Sequence, residues 1–263
     1  MIGMREKLAG FLPRLLAGVL LAISVLTGCG RPQPAADVSV LLISVDSLRV
    51  DRLPLWNPGD APPTPNLDRL AARGTVYQNA WATSPWTAPS MVSVFTGLYP
   101  PSHGIVYRDD TTPETLPTLP RLLAQRGYRL GNFSFFSGIS YFRNLGLGPV
   151  EKGIGHKRVA GGFRRWLAAQ PPEQPFFAWV HLLEPHLPYG ASGYRSTRAE
   201  VPGSSGLVEA QLAATVPWGT VEFEDGDRDR LVRLYDRDVR RMDGVLGRVL
   251  GALEVHGRAE ETL

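Results

Sequence analysis

Residues 84–97 read SPWTAPSMVSVFTG, a polar turn with two prolines that leads into an apolar stretch of helical character. Pro89 suits the first turn of a helix, where its missing N–H costs no hydrogen bond. This places Thr87 at or near the helix N-terminus, where free backbone N–H groups and the helix dipole favour an anion. A hydroxyl at that point can attack an ester. The alternative interpretation is a threonine that only caps the helix.

A buried strand is predicted over Val38–Val45, because this run is almost continuously apolar and rich in β-branched residues. Asp46 follows directly, at the strand end where open α/β sheets bind their ligands. The carboxylate of Asp46 is therefore a candidate metal ligand. A helix cap or a turn former is the alternative role for this residue.

Further helices and strands follow from periodicity and from capping residues. We expect four more helices, the first begun by Thr64-Pro65, at 64–74, 116–126, 161–169 and 227–253. We expect three more strands, at 75–81, 128–136 and 175–182. Residues 190–225 are irregular, rich in Gly, Ser and Pro, and can cover a site.

Composition fits one globular domain, since 43% of the 263 residues are hydrophobic and 20% are charged. The net charge is +3, and no clustered basic stripe with aromatic residues is present, so no nucleic-acid partner is expected. Cys29 is the single cysteine, which excludes a disulfide within the chain.

The N-terminus predicts an export signal. A basic start precedes an apolar run, Leu15–Leu26, that is too short to span a bilayer but suits a signal peptide. The following Leu-Thr-Gly-Cys resembles a bacterial lipobox, in which the cysteine, here Cys29, receives lipid. We thus expect a signal peptide at 1–28, a proline- and alanine-rich tether at 29–37 and a domain at 38–263. An ordinary secretory signal and an uncleaved anchor remain alternatives, and all three place the domain outside the cytoplasm.

Five segments of the chain together resemble the sulfatase family of the alkaline phosphatase superfamily. They are LLISVDSLRVDRL at 41–53, TPNLDRLAARG at 64–74, TAPSM at 87–91, TGLYPPSHGI at 96–105 and HLLEPHLPY at 181–189. Five segments in family order are more specific than any one of them. The resemblance implies an α/β fold in which a mixed, mainly parallel sheet lies between helices.

The resemblance also implies roles for individual residues. Thr87 is in the position of the nucleophile and binds a divalent metal (calcium, manganese or zinc) together with Asp46. His186 contacts the anionic group of the substrate, unless it is only a structural loop residue. His181 and His103 are expected to be structural, His181 as a core residue or a support behind the site.

The chain departs from the family pattern at several of these positions. Thr87 and Met91 replace the Cys and Arg of Cys-x-Pro-x-Arg, so no formylglycine can form. Ser47 replaces a second Asp, and Gly131–Ser134 replaces a Gly-Lys-Trp-His segment that binds sulfate. In the family, Tyr235 and Asp243 have counterparts on a long helix, but helix packing is their favoured role here.

These features predict hydrolysis or transfer of phosphate or sulfate esters, through a metal-activated Thr87 alkoxide. Threonine favours phosphoryl chemistry, because a threonine sulfate ester lacks the exit that a hydrated aldehyde provides. Residues 260–263 match a segment that in the family leads to an Asp-His-Gly motif with further metal ligands, so we expect the C-terminal part of the fold to be missing. The expected location is the periplasmic face of the outer membrane, if one exists, through a lipid anchor. The alternative is an inactive lipoprotein that binds anionic glycans or lipid head groups.

Overall fold

Three parallel strands form the sheet of this protein: β1 (Val40–Val45), β2 (Arg129–Phe133) and β3 (Phe176–Leu182). The computed structural model describes residues 38–107, 109–134, 140–150, 158–187, 189–190 and 226–263. The strand order is β1-β3-β2, so β3 is central and every one of its residues is buried. The predicted signal peptide and tether, Cys29 among them, and most of 190–225 lie outside the described residues.

Six α-helices surround this sheet in the part of the chain that the structure describes. They are α1 (Pro65–Arg73), α2 (Thr87–Thr96), α3 (Pro100–His103), α4 (Leu119–Gln125), α5 (Val159–Ala168) and α6 (Asp227–Val255). Short 3-10 turns occur at Val50–Arg52 and Ser140–Phe142. Among these described helices, none is long and apolar enough to cross a membrane.

Alternation along β3 divides the core between the two faces of the sheet. Its residues Phe176, Ala178 and Val180 pack on one face, against the buried sides of α5 and α6. Phe177 and Trp179 pack on the other face, with the buried residues of α2. Because side chains alternate in a strand, one fully buried strand supplies both cores. The structure thus confirms a sheet that lies between helices.

One predicted strand is wrong. Residues 75–81 form turns and extended chain without a strand partner among the described residues, and every side chain in this segment is exposed. Alternation of apolar and polar residues stabilises a strand only where one face of the strand is buried against a core. No face of this segment is buried. The helix predicted at 116–126 is shorter, since Thr118 is its N-cap and accepts a hydrogen bond from the Arg121 N–H.

A short parallel pairing extends the outer side of β1 near its start. The Ser39 N–H donates to the Glu261 carbonyl at 2.9 Å, and the Leu41 N–H donates to the Leu263 carbonyl at 2.8 Å. The long helix α6 therefore leads through a turn into extended chain alongside β1.

Candidate active site at the carboxyl ends of the strands

Asp46 directly follows β1 and remains tied to the sheet. Its N–H donates to the Leu182 carbonyl at 2.9 Å, which continues the pairing between β1 and β3 by one residue. Ser47 then turns the chain in the left-handed region, with φ of 56°, a conformation that non-glycine residues adopt at a cost. The Ser47 hydroxyl donates to Asp46 Oδ1 at 3.1 Å. The carboxylate is thus presented at the carboxyl edge of the sheet.

Thr87 is the first residue of α2, as predicted, but its side chain does not cap that helix. Trp86 is the N-cap residue, and no side-chain capping hydrogen bond is present there. The Thr87 hydroxyl donates instead to Asp46 Oδ2 at 3.1 Å. The structure therefore joins the predicted nucleophile and the predicted metal ligand in one direct hydrogen bond.

His181 lies behind this pair on β3. It is buried, with 2% of its surface exposed, and its Nε2 is 3.5 Å from Asp46 Oδ2, at the outer limit of a hydrogen bond. Its Nδ1 is 2.7 Å from the Ser44 hydroxyl oxygen, and that oxygen accepts a hydrogen bond from Trp179 Nε1 at 2.8 Å. His181 is therefore a buried core residue that contacts Asp46, and its role as a support behind the site stays a prediction.

The environment favours the ionised form of Asp46. Burial is the largest single influence and by itself raises the pKa of this carboxyl group. Contact with His181, the His186 charge and the Ser47 hydroxyl together outweigh burial and hold the pKa below its ordinary value. The carboxylate is therefore negatively charged at neutral pH and is a ready acceptor for the Thr87 hydroxyl.

His186 lies in the loop that follows β3, as the sequence predicts. Its N–H donates to the Leu183 carbonyl at 2.8 Å, and its Nδ1 is 2.7 Å from the Leu187 carbonyl oxygen. The loop is tied to α6, because the Gly190 N–H donates to Asp238 Oδ2 at 2.5 Å. When protonated, the His186 imidazole lowers the pKa of the Asp46 carboxyl group through its charge.

Tyr235 has a more specific task than the helix packing expected of it. Its hydroxyl accepts a hydrogen bond from the Arg49 N–H at 2.7 Å and donates to the Ser47 carbonyl at 2.8 Å. Burial raises the pKa of Tyr235 to about 12, so the phenol keeps its proton at neutral pH. The adjacent Asp236 binds Arg52 through both carboxylate oxygens, at 2.9 and 2.5 Å. Helix α6 thus braces the loop that begins at Asp46.

Two further polar residues make contacts that fit the structural role expected of them. His103 is buried, with Nε2 3.1 Å from the Ser93 hydroxyl and 3.2 Å from the Pro89 carbonyl oxygen, and it joins α3 to α2. Asp243 on α6 accepts hydrogen bonds from the Asn66 and Leu67 N–H groups, at 3.2 and 2.9 Å, and so caps the start of α1.

The described donor set does not by itself fit a divalent cation. Asp46 and Thr87 contribute oxygen donors, but the described residues contain no group of three or more His, Cys, Asp or Glu side chains arranged to hold a metal. Ser47 occupies the position at which the family pattern has a second aspartate. Calcium takes six to eight oxygen ligands and catalytic zinc usually takes three protein ligands.

Comparison with known proteins places these residues in a family. A family model described as Sulfatase matches residues 39–263. The chain is 29% identical over 228 residues to a low-salt glycan biosynthesis sulfotransferase of Haloferax volcanii, covering 86% of this chain and 44% of that protein. It is 29% identical over 151 residues to an N-acetylgalactosamine-6-O-sulfatase of Bacteroides thetaiotaomicron, covering 51% of this chain and 27% of that protein. The chain thus spans less than half the length of these relatives.

Solved structures share the fold. A phosphonate monoester hydrolase of Agrobacterium radiobacter superposes with a TM-score of 0.63 at 20% identity, over 86% of this chain and 61% of that one. A 2-O GAG sulfatase superposes with a TM-score of 0.62 at 18% identity, over 86% of this chain and 56% of that one. Because the family model extends over residues 39–263, the chain belongs to the sulfatase family.

Proposed function

We propose that this chain carries the nucleophile-bearing part of an enzyme that hydrolyses or transfers phosphate or sulfate esters, with phosphoryl groups preferred. The observation that carries the proposal is the 3.1 Å hydrogen bond from Thr87 Oγ1 to Asp46 Oδ2. In this proposal Thr87 attacks the ester and Asp46 orients its hydroxyl. His186, in the loop beyond β3, contacts the anionic group of the substrate.

The position of Thr87 supports a role in attacking an anion. Thr87 begins a helix of 10 residues, so the dipole of α2 and the N–H groups of Thr87 and Ala88 in its first turn would favour a bound phosphate or sulfate. Those donors can stabilise the negative charge that builds up on the oxygens during transfer. The hydroxyl and the anion-binding donors therefore come from the same short segment.

The identity of the nucleophile supports phosphoryl rather than sulfuryl transfer. A phosphothreonine ester can be hydrolysed by attack at phosphorus, whereas sulfate leaves formylglycine through collapse of a hydrated aldehyde, which threonine lacks. The solved structures that share the fold include both a phosphonate monoester hydrolase and a 2-O GAG sulfatase. Both kinds of ester therefore belong in the substrate screen.

Metal dependence is part of the proposal, with calcium, manganese or zinc as the candidate ions. Asp46 and Thr87 are the donors within the described site, and they are too few for any of these ions. We therefore expect the activity to require additional ligands from outside the described residues.

The test uses a form of the protein extended by any reading frame that continues after Leu263. Aryl phosphate, aryl phosphodiester and aryl sulfate substrates are assayed with calcium, manganese and zinc. Turnover should favour the phosphate esters and should fall at least about 1,000-fold in Thr87→Ala, since a missing nucleophile is rarely replaced. Thr87→Ser should keep part of the activity.

The exposed Thr83 provides a matched control on the loop before α2, and Thr83→Ala should leave turnover unchanged. Mass spectrometry of quenched reactions should find a phosphoryl group on Thr87. Full turnover in Thr87→Ala would exclude this nucleophile. Binding of anionic glycans or lipid head groups without turnover would favour the non-catalytic lipoprotein.

A further inference from the structure

Trp179, Ser44 and His181 form a line of polar contacts that leads to Asp46. Trp179 is fully buried and His181 is 2% exposed. The Ser44 hydroxyl lies 2.8 Å from Trp179 Nε1 and 2.7 Å from His181 Nδ1. On the far side of the imidazole, His181 Nε2 is 3.5 Å from Asp46 Oδ2.

Sheet register brings these side chains together. Ser44 on β1 and His181 on β3 are direct partners in the parallel pairing, so their side chains lie next to each other on the same face. Trp179, two residues before His181, lies on that face as well and belongs to the core beneath α2. Since α2 begins at Thr87, the line of contacts runs through the sheet face on which the proposed nucleophile lies.

The chemistry of the donors sets the direction of the hydrogen bonds. An indole N–H can only donate, so the Ser44 oxygen accepts from Trp179. If that oxygen also accepted from His181, the Ser44 hydroxyl hydrogen would have no acceptor among its contacts with the described residues, whereas donation to His181 Nδ1 satisfies it. The neutral imidazole then carries its hydrogen on Nε2. With the opposite tautomer, a lone pair on Nε2 would face the ionised Asp46 carboxylate in a buried site, which is unfavourable.

We propose that Ser44, held by Trp179, is a positioning residue that keeps His181 in the Nε2–H tautomer and thereby orients the Asp46 carboxylate toward Thr87. The Nε2–H group faces the same oxygen, Oδ2, that accepts the Thr87 hydroxyl, while Ser47 holds Oδ1. The catalytic meaning of this arrangement rests on the proposed function. The tautomer of His181 and the orientation of the Asp46 carboxylate are independent of that function. Such supports behind a site fix the tautomer of a histidine and the geometry of its partner.

The test is nuclear magnetic resonance on protein labelled with ¹⁵N-histidine, at a pH where the ring is neutral. Long-range proton–nitrogen correlations should show His181 as the Nε2–H tautomer in the wild type. Ser44→Ala should lose this single-tautomer pattern, and Ser44→Thr, which keeps a hydroxyl, should retain it. Trp179→Phe should admit the Nδ1–H form, because without the indole donor the Ser44 hydroxyl can rotate away from Nδ1 and accept from the imidazole instead.

A matched control uses the other serine–histidine contact in the described chain, in which the Ser93 hydroxyl lies 3.1 Å from His103 Nε2. Ser93→Ala should alter the His103 signals and leave those of His181 unchanged. The Nδ1–H tautomer in the wild type, which needs no variant to observe, would overturn the proposal. So would an unchanged His181 tautomer in a folded Ser44→Ala protein.

Orientation of the carboxylate has its own readout, the methyl resonance of Thr87. In Ser44→Ala this resonance should move toward its position in Asp46→Ala, because the carboxylate no longer holds the hydroxyl. A resonance that stays at its wild-type position would show that Ser44 does not position Asp46. No step of the experiment requires turnover, so loss of the proposed function and loss of this inference are separate results.

Discussion

The hydroxyl of Thr87 donates to the carboxylate of Asp46 at 3.1 Å, although 41 residues separate them in the chain. One residue follows the edge strand β1 and the other begins helix α2. Their contact therefore exists only when the strand and the helix are packed together on the sheet. Both the proposed chemistry and part of the stability of the fold depend on this junction.

The 263-residue chain alone should show little or no esterase activity. Its described site offers too few ligands to hold a divalent cation firmly, and a free threonine hydroxyl is a poor nucleophile. Assays with calcium, manganese and zinc should detect at most traces of turnover, and a longer form that contains an Asp-His pair should restore it. Robust turnover by the 263-residue form that disappears in Thr87→Ala would show that the residues of this chain are sufficient for metal binding and catalysis.

Asp46→Asn should destabilise the protein more at neutral pH than in acid. Because the pKa of Asp46 is lowered in the folded state, its ionised form adds stability above the ordinary carboxyl value of 3.8, and this contribution is lost as the pH falls through the lowered pKa. Urea unfolding at pH 7 and at about pH 3 should give a difference between wild type and variant that shrinks in acid. The exposed Asp109→Asn serves as the control. A difference that grows in acid would contradict the direction assigned to this pKa.

Tyr235→Phe should lower the free energy of unfolding by about 1–3 kcal/mol, the cost of leaving buried polar groups without their partner. The change keeps the ring and removes the hydroxyl that holds the Ser47 carbonyl and the Arg49 N–H. Chemical denaturation measures the effect. Tyr77 is 77% exposed, so Tyr77→Phe should have almost no effect. Equal effects of the two substitutions would show that the Tyr235 hydroxyl does not brace the loop.

Two glycines of α6 should respond to alanine in opposite directions. A Cβ at Gly247 would collide with the Asn66 side chain, which is itself held by Asp243, so Gly247→Ala should cost about 1–3 kcal/mol. A Cβ at Gly251 meets nothing within 4 Å, so Gly251→Ala should stabilise the helix by about 0.5–1 kcal/mol. Urea unfolding of both variants gives the comparison. Stabilisation by Gly247→Ala would mean that α1 and α6 are not tightly packed there.

Cys29→Ser should release the protein from membranes. Cys29 follows Leu-Thr-Gly at the end of the predicted signal peptide, and Gly30 is not the aspartate that retains some lipoproteins at the inner membrane. We therefore expect lipid on Cys29 and, in a host that has an outer membrane, sorting to it. Membrane fractionation and mass spectrometry of the N-terminal peptide measure both. Unchanged fractionation of Cys29→Ser, with no lipid mass on the wild-type peptide, would contradict the lipobox interpretation.

The sequence by itself determined most of the local elements and the family. Continuous apolar residues predicted β1 and β3, Pro65 and Pro89 predicted the starts of α1 and α2, and the period of 3.6 predicted α6. Five motifs in order identified the sulfatase family, which the family model over residues 39–263 confirms. These features depend on neighbours a few residues apart, so a sequence displays them directly.

Only the tertiary structure decided which polar groups meet. The Thr87 hydroxyl could cap α2 or reach Asp46, and packing of α2 on the sheet selects Asp46. Tyr235 resembled a helix-packing residue until α6 was placed over the loop beyond β1. The alternation of 75–81 predicted a strand, yet no buried face exists for it. Hydrogen bonds between distant segments depend on sheet register and helix placement, which local periodicity does not encode.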